Sequence, residues 1–427
     1  MFPRKPSSPR WEALATVSLM VALSYAAGAR AEPLNLESAV ERALQVAPEI
    51  RAADADVAAR AGELRQARSW PNPTVEARAD NKLGQETGTG GTAMTQLALS
   101  QPLPILRLPR ERRVAEARLA AAEASRNFRR LQIERDTAQA FFAAQLAQTR
   151  LALARERLDQ TGLYPDGRQR RDPLKRYLTP FDRARLALLR EEANQTVASA
   201  GREHATALAE LRARLALPAA ADVELADSIL PDAPPVSDPA TSPIDNHPAI
   251  AAAQRAQEGA VAGISAARAQ RFADPVLNLF RERDFLNDAR RDVTGVGVSV
   301  QVPLWNLNRG PIERAQAEAA RAQAELDVQR REIALGLARS QAELARLRAQ
   351  AEQVRDSLLE PARRLHELAQ RSFHTGEVNV LALIDAANTY YDARARYLEL
   401  LAQAQLAAAE LRLAAGRSVV GEREVQP

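Results

Sequence analysis

The side chains able to hold a metal or move a proton are few and scattered. The four histidines are His204, His247, His366 and His374. The nearest pair, His366 and His374, is eight residues apart, whereas two imidazoles on one helix face need a spacing of three or four. Cysteine is absent, which excludes a thiolate zinc site, a Cys nucleophile, a disulfide framework and lipid attachment at an N-terminal Cys. Two of the three methionines, Met1 and Met20, belong to the N-terminal segment, so no soft copper relay remains. A Gly-rich phosphate loop, a nucleophile elbow and an acid–base pair in a pocket are all missing. The reading is a chain with no catalytic residues, no resident metal and no cofactor, and not an enzyme.

Two other features hold charge at positions that could matter. "LYPDGRQRRDPLKRYLTP" gathers Arg168, Arg170, Arg171, Lys175 and Arg176, either a solvated loop or a basic surface acting on a partner or on passing ions. Thr179-Pro180-Phe181-Asp182 directly after it fits a helix start, with Thr as cap and Asp at the third position. In "SFHTGEVN", Gly376 suits a tight turn and Asn379 suits the cap of a returning helix.

The elements that position these residues begin after a cleavable leader. Arg4, Lys5 and Arg10 precede a mostly apolar run from Ala13 to Gly28 and a small-x-small end at Ala29-Arg30-Ala31, the pattern of a secretory signal over residues 1–31. The alternative is a membrane anchor, but the run is short and broken by Thr16, Ser18 and Ser24. Cleavage would remove four basic residues and one acidic, so 58 against 54 becomes 54 against 53 and the net charge falls from +4 to +1. Nucleic acid is then a poor partner. Beyond the leader no stretch is apolar enough to span a membrane as a helix, so any insertion must use strands.

The rest of the chain is one plan used twice. "APEIRAADADVAARAGELRQARSWPNPTVEARAD" from Ala47 resembles "HPAIAAAQRAQEGAVAGISAARAQRFADPVLNLFRERD" from His247. In each copy a helix, a Pro-containing break, two strands and a very long Arg/Ala/Glu/Gln helix follow in order, and "TPFDRARLALL" matches "ALIDAANTYYDA" at the returning helix. The copies are assigned to residues 32–217 and 246–416, with a Pro-rich linker at 218–245 and a tail at 417–427. From Arg309 to Ser372 the helical pattern would span roughly 95 Å at 1.5 Å per residue. Its heptad seam runs through Leu337, Leu344, Leu347, Ala351 and Val354 and on through Leu358, Pro361, Leu365 and Leu368, with Pro361 expected to bend or break it.

Strands are expected at Pro73–Asp80 and Thr95–Leu103 in the first hairpin (73–103) and at Pro275–Arg283 and Val293–Pro303 in the second (275–303). Each is about nine to eleven residues, the length a tilted strand needs to cross hydrocarbon. In "VTGVGVSVQV" Val296, Val298, Val300 and Val302 share one face, opposite Gly295, Gly297, Ser299 and Gln301, the apolar-out, polar-in alternation of a membrane barrel. "NKLGQETGTGG" and "DFLNDARRD" read as polar loops facing outside water. Four strands cannot close a barrel, so several chains must share one. Trp70 and Trp305 would lie at its inner rim, or else pack at helix-to-strand junctions. The competing reading is a periplasmic coiled-coil adaptor or structural protein with a small sheet domain.

The duplicated "RSWPNP" and "RFADP" junctions, "LALSQPLP" and "VSVQVPLW" leading into long helices, and "FHTGEVNVLALIDA" resemble the TolC-type outer-membrane efflux family over Leu34 to Gly416. The resemblance implies a mainly α fold with membrane β structure: a homotrimer with four strands per protomer in a twelve-stranded barrel, continuous with a long α-helical barrel in the periplasm. It implies the exit duct of a tripartite pump or of type I secretion, with a periplasmic adaptor and an inner-membrane transporter of the RND type as partners. Within the family, "RSWPNPTVEAR" looks most like heavy-metal members of the cobalt, zinc, cadmium or copper type; drugs or type I secretion substrates are the alternative cargo. By the same resemblance Asp385 falls where acids line the periplasmic gate, and Asp182 is its first-copy counterpart, while Ala382 and Val378 replace an earlier acid and an arginine of drug-exporting members. For Asp182 the cap is the competing role, for Asp385 a solvated face. The basic 168–176 tip becomes a candidate contact for the adaptor.

Overall fold

The computed structural model describes residues 33–79, 95–162, 179–226, 244–286 and 289–420. The leader, the loop "NKLGQETGTGG", the basic cluster Arg168, Arg170, Arg171, Lys175 and Arg176, most of the Pro-rich linker and the end of the tail lie outside the described residues. The first copy runs through α1 (Leu36–Val46), α2 (Pro48–Arg68), β1 (Thr74–Ala79), β2 (Thr95–Pro102), α3 (Leu108–Gly162) and α4 (Pro180–Arg214). The second runs through α5 (Pro248–Ala269), β3 (Val276–Leu286), β4 (Ala289–Ser299), α6 (Arg309–Val354), a π-turn (Arg355–Leu359), α7 (Glu360–Thr375) and α8 (Val380–Ala414).

Short polar signals set the helix starts. Asn35 and Ser38 cap α1 reciprocally, and Asn379 Oδ1 accepts the Ala382 N–H at 3.0 Å to start α8. Pro48 and Pro248 occupy the first turns of α2 and α5, where their missing N–H costs nothing. Before α8, Gly376 takes φ +80° and the Glu377 N–H reaches the Ser372 carbonyl at 2.9 Å, which closes α7 tightly.

Helix α3 is the spine. It packs against α2 and α4 on one flank and against α5 and α8 on the other; α6 then covers α5 and α8, and α7 covers α8. The chain is thus a wall whose two exposed flanks are α2/α4 and α6/α7. Its apolar interior comes in blocks. Phe141, Phe142 and Leu211 anchor one around α1, α3 and α4, and Leu344, Leu347, Tyr391, Leu401 and Leu411 another between α6 and α8. A third, at the turn end, joins Leu186 and Leu189 of α4 to Ala369 and Phe373 of α7 and Leu383 and Ile384 of α8.

The heptad seam departs from its sequence pattern at Pro361. Leu344, Leu347, Ala351 and Val354 are buried as expected, but Leu358, Leu365 and Leu368 are exposed, and the buried stripe continues as Ala362, His366, Ala369 and Phe373. Each of these stands one residue later than the heptad predicts. The reason is the π-turn, where the Glu360 N–H bonds the Arg355 carbonyl five residues back. Pro361 has no N–H and its ring crowds a carbonyl one turn earlier; a wider turn relieves both defects and absorbs one extra residue without breaking the helix.

The strands form one antiparallel sheet in the order β1-β2-β3-β4. The expected boundaries shift most in the second hairpin, at the end of β3 and at both ends of β4. β4 ends at Ser299, so Val300 and Val302 lie beyond it, because its partner β3 begins only at Val276, which pairs with Ser299, after Pro275. At the other end "DFLNDARRD" is mostly ladder: pairing continues to Leu286–Ala289, with Arg283 Nε 2.7 Å from Asp292 Oδ1 across the strands.

Candidate functional site: a two-faced sheet and a polar line on the returning helix

Register sorts the sheet into two chemistries. Val75, Leu99, Leu279 and Val296 pair in one cross-strand row, and Leu277 pairs with Val298 on the same face. Val75, Leu97, Leu99, Leu279, Val296 and Val298 are all exposed, so this face is an apolar surface with the charged group Arg281, Arg283 and Asp292 at its loop end. Trp70 and Trp305, both exposed, flank the end of the sheet where β1 begins and β4 ends.

The other face is polar. Ser100 Oγ donates to Asn278 Oδ1 at 2.7 Å and Asn278 Nδ2 lies 3.4 Å from Ser299 Oγ, linking three strands through side chains. Val276 and Val293 share this face, and its aromatic group, Phe280, lies over Gly295, where a Cβ would meet the ring at 2.3 Å; only glycine leaves the ring room. β1 and β4 are the outer strands, each with one edge unpaired within the chain. In hydrocarbon such an edge costs several kcal/mol per unsatisfied group.

Helix α8 is the most enclosed of the helices, and between Ala382 and Glu399 its exposed residues fall in one line, Ala382, Asp385, Thr389, Asp392, Arg396 and Glu399; Leu381, Gln403, Glu410 and Arg412 are exposed as well. Asp385 is thus exposed near the turn end, on the polar line. Asp182 is drawn into its helix cap. Its Oδ2 accepts from Thr179 N at 2.9 Å and Thr179 Oγ1 at 2.7 Å, while Asp182 N donates to Thr179 Oγ1 at 3.1 Å. The Thr179 side-chain hydrogen bond, then the backbone one, hold its carboxyl below the usual carboxylate range. The structure does not bring Asp385 and Asp182 into contact.

A polar node tying α3 to α7 and α8 was not foreseen from the sequence. Arg157 of α3 reaches Asn388 Oδ1 at 2.5 Å, lies 3.8 Å from Asp392, and stands 5.8 Å over the Tyr391 ring. Two turns away, Arg394 Nη1 holds both oxygens of Glu156 at 2.9 and 2.8 Å. His366 is buried in this node, stacked on Tyr390 at 5.4 Å and 4°. Burial lowers its pKa, against the pull of Glu367 and Glu156, so it is neutral near pH 7. The run Asn388-Thr389-Tyr390-Tyr391-Asp392-Ala393-Arg394 is a polar signal in an apolar helix, but its partners on α3 lie more than two hundred residues away. Among the described residues no group of three His, Asp or Glu could hold a metal ion, and no helix is long and apolar enough to cross a membrane.

The outer membrane efflux protein family model matches residues 39–217 and 242–417, one span for each copy of the plan. The chain belongs to the outer membrane efflux protein family. Among its relatives is the cobalt-zinc-cadmium resistance protein CzcC of Cupriavidus metallidurans, 26% identical over 391 residues, 91% of this chain and 91% of that protein. The nickel-cobalt-cadmium resistance protein NccC of Alcaligenes xylosoxydans xylosoxydans is 26% identical over 323 residues, 74% of this chain and 70% of that protein. In fold the chain resembles CusC, whose structures describe transmembrane channel formation, with TM-score 0.68, 20% identity and coverage of 92% of this chain and 94% of the other. The family member described here is therefore an outer-membrane efflux channel, with an α-helical wall and strands of a membrane barrel.

Proposed function

We propose that three copies of this chain form one barrel and one helical duct, through which metal cations of the cobalt, zinc, nickel or cadmium class leave the cell. A periplasmic adaptor and an inner-membrane transporter of the RND type deliver the cargo. The observation that carries the reading is the four-stranded sheet: apolar and bare on one face, polar on the other, open at both edges. Twelve strands from three chains satisfy every edge. The cargo class rests on CzcC and NccC, relatives named for resistance to these metals.

In this reading Trp70 and Trp305 sit at the inner membrane interface, Val296 and Val298 face lipid, and the α8 line with Asp385 faces the lumen. A lumen wall without a tight ligand set suits passage, which requires weak binding. Asp385 then concentrates cations near the periplasmic mouth, and Asp182 keeps its cap. The basic segment 168–176 contacts the adaptor.

The test is metal and drug tolerance of the host strain. Loss of the gene is expected to lower tolerance to cobalt, zinc or cadmium at least several-fold and leave drug tolerance unchanged. Asp385→Asn is expected to lower metal tolerance partly, at unchanged amounts in the outer membrane. Loss of drug tolerance alone would move the cargo to the drug class, and full tolerance with Asp385→Asn would remove that residue from the pathway.

A further inference from the structure

The exposed leucines below the π-turn need a partner. Leu358, Pro361, Leu365 and Leu368 recur at three and four residues, the spacing of a coiled-coil face, yet Leu365 is 48% and Leu368 55% exposed. The π-turn has given the inner face of α7 to Ala362, His366, Ala369 and Phe373, so the leucine stripe is a second seam on the outer flank of the wall. On the opposite flank α4 carries a matching stripe, with Phe181 71% and Leu188 60% exposed and Ala184 between them.

We propose that these two stripes meet between neighbouring copies: Leu358, Leu365 and Leu368 of one chain against Phe181, Ala184 and Leu188 of the next. The proposal rests on the shared barrel above and names the helical contact that accompanies it. Three observations select a second copy as the occupant. The flanks correspond, because the β1 edge follows α2 on the α4 side and the β4 edge precedes α6 on the α7 side; a head-to-tail arrangement that joins β1 to β4 sets α4 beside α7.

The levels also correspond. Leu186 and Leu189 share a buried cluster with Ala369 and Phe373, so Leu188 and Leu368 stand at one height, each on a face turned away from that cluster. Finally, opposite charges stand at one level. One turn beyond Leu188 lie Glu191 and Glu192, one turn beyond Leu368 lies Arg364, and among the described residues none of the three takes part in an ion pair; Arg183, Arg185 and Arg190 stand on the same stretch of α4, so the complementarity is confined to this one level. The π-turn is thus the device that lets one helix serve two seams, one within the chain and one between chains.

The chain's lack of cysteine makes the contact directly testable. Leu188→Cys with Leu368→Cys, oxidised or treated with a short bis-maleimide in outer membranes, is expected to give covalent dimers and trimers, and neither single variant should. Arg364→Glu is expected to reduce trimer recovery several-fold, with Glu191→Arg plus Glu192→Arg restoring it. A native trimer whose paired thiols fail to link and stay open to a membrane-impermeant maleimide would overturn the contact. So would thiols that become protected only when an adaptor is present, which would assign the stripes to that partner. A monomer by native mass would overturn the shared barrel and this contact with it.

Discussion

His247 illustrates how a single residue can look like chemistry and serve as a hinge pin. Its Nδ1 accepts the Ala249 N–H at 3.1 Å, and its Nε2, 3.1 Å from the Leu413 carbonyl, must donate, so both nitrogens are used in one neutral tautomer. Burial lowers its pKa, only partly opposed by the Leu413 bond. A depressed histidine pKa gives stability that is complete above the ordinary value of 6.5 and is lost as pH falls through the folded value. His247→Asn keeps a capping side chain but loses the Leu413 bond. It is expected to lower stability by about 1 kcal/mol at pH 7.5, with the gap to wild type narrowing at pH 5. Thermal unfolding of the detergent-extracted protein at both pH values measures this; an equal gap at both would exclude a protonation role for His247. The sequence left this histidine without a partner because Leu413 is brought to it only by the fold.

At the scale of elements, the duplicated plan, the four strands and the long helices were legible because each follows from local periodicity and from prolines whose effect is local. Strand ends were less so. Val300 and Val302 continue the alternation of Val296 and Val298, but a ladder ends where its partner ends, and that partner lies in a different segment. The seam below Pro361 was misread for a sharper reason: a heptad assumes α geometry throughout, and one π-turn moves the buried face by one residue. If the π-turn only absorbs an extra residue, deleting Ser357 together with Pro361→Ala should give a continuous α-helix that still buries Ala362, His366, Ala369 and Phe373. Inserting one alanine after Ser357 should turn that stripe about 100° away and reduce the amount of assembled protein in the outer membrane severalfold or more. Comparing the two variants by outer-membrane yield decides it, and equal damage from both would contradict the register account. The polar node of Arg157, Glu156, Asn388 and Arg394 was invisible for the same long-range reason.

At the scale of the whole molecule, a wall of helices bears a sheet whose outer strands each keep one edge unpaired within the chain. The apolar face of Val75, Leu99, Leu279 and Val296, the polar ladder of Ser100, Asn278 and Ser299, and the open edges of β1 and β4 all support the proposed closure with further copies inside lipid. Family membership places the channel in the outer membrane. The most direct test of the account is the native mass of the protein extracted in mild detergent from purified outer membranes. The account predicts three protomers in one particle; a monomer or a dimer would contradict it.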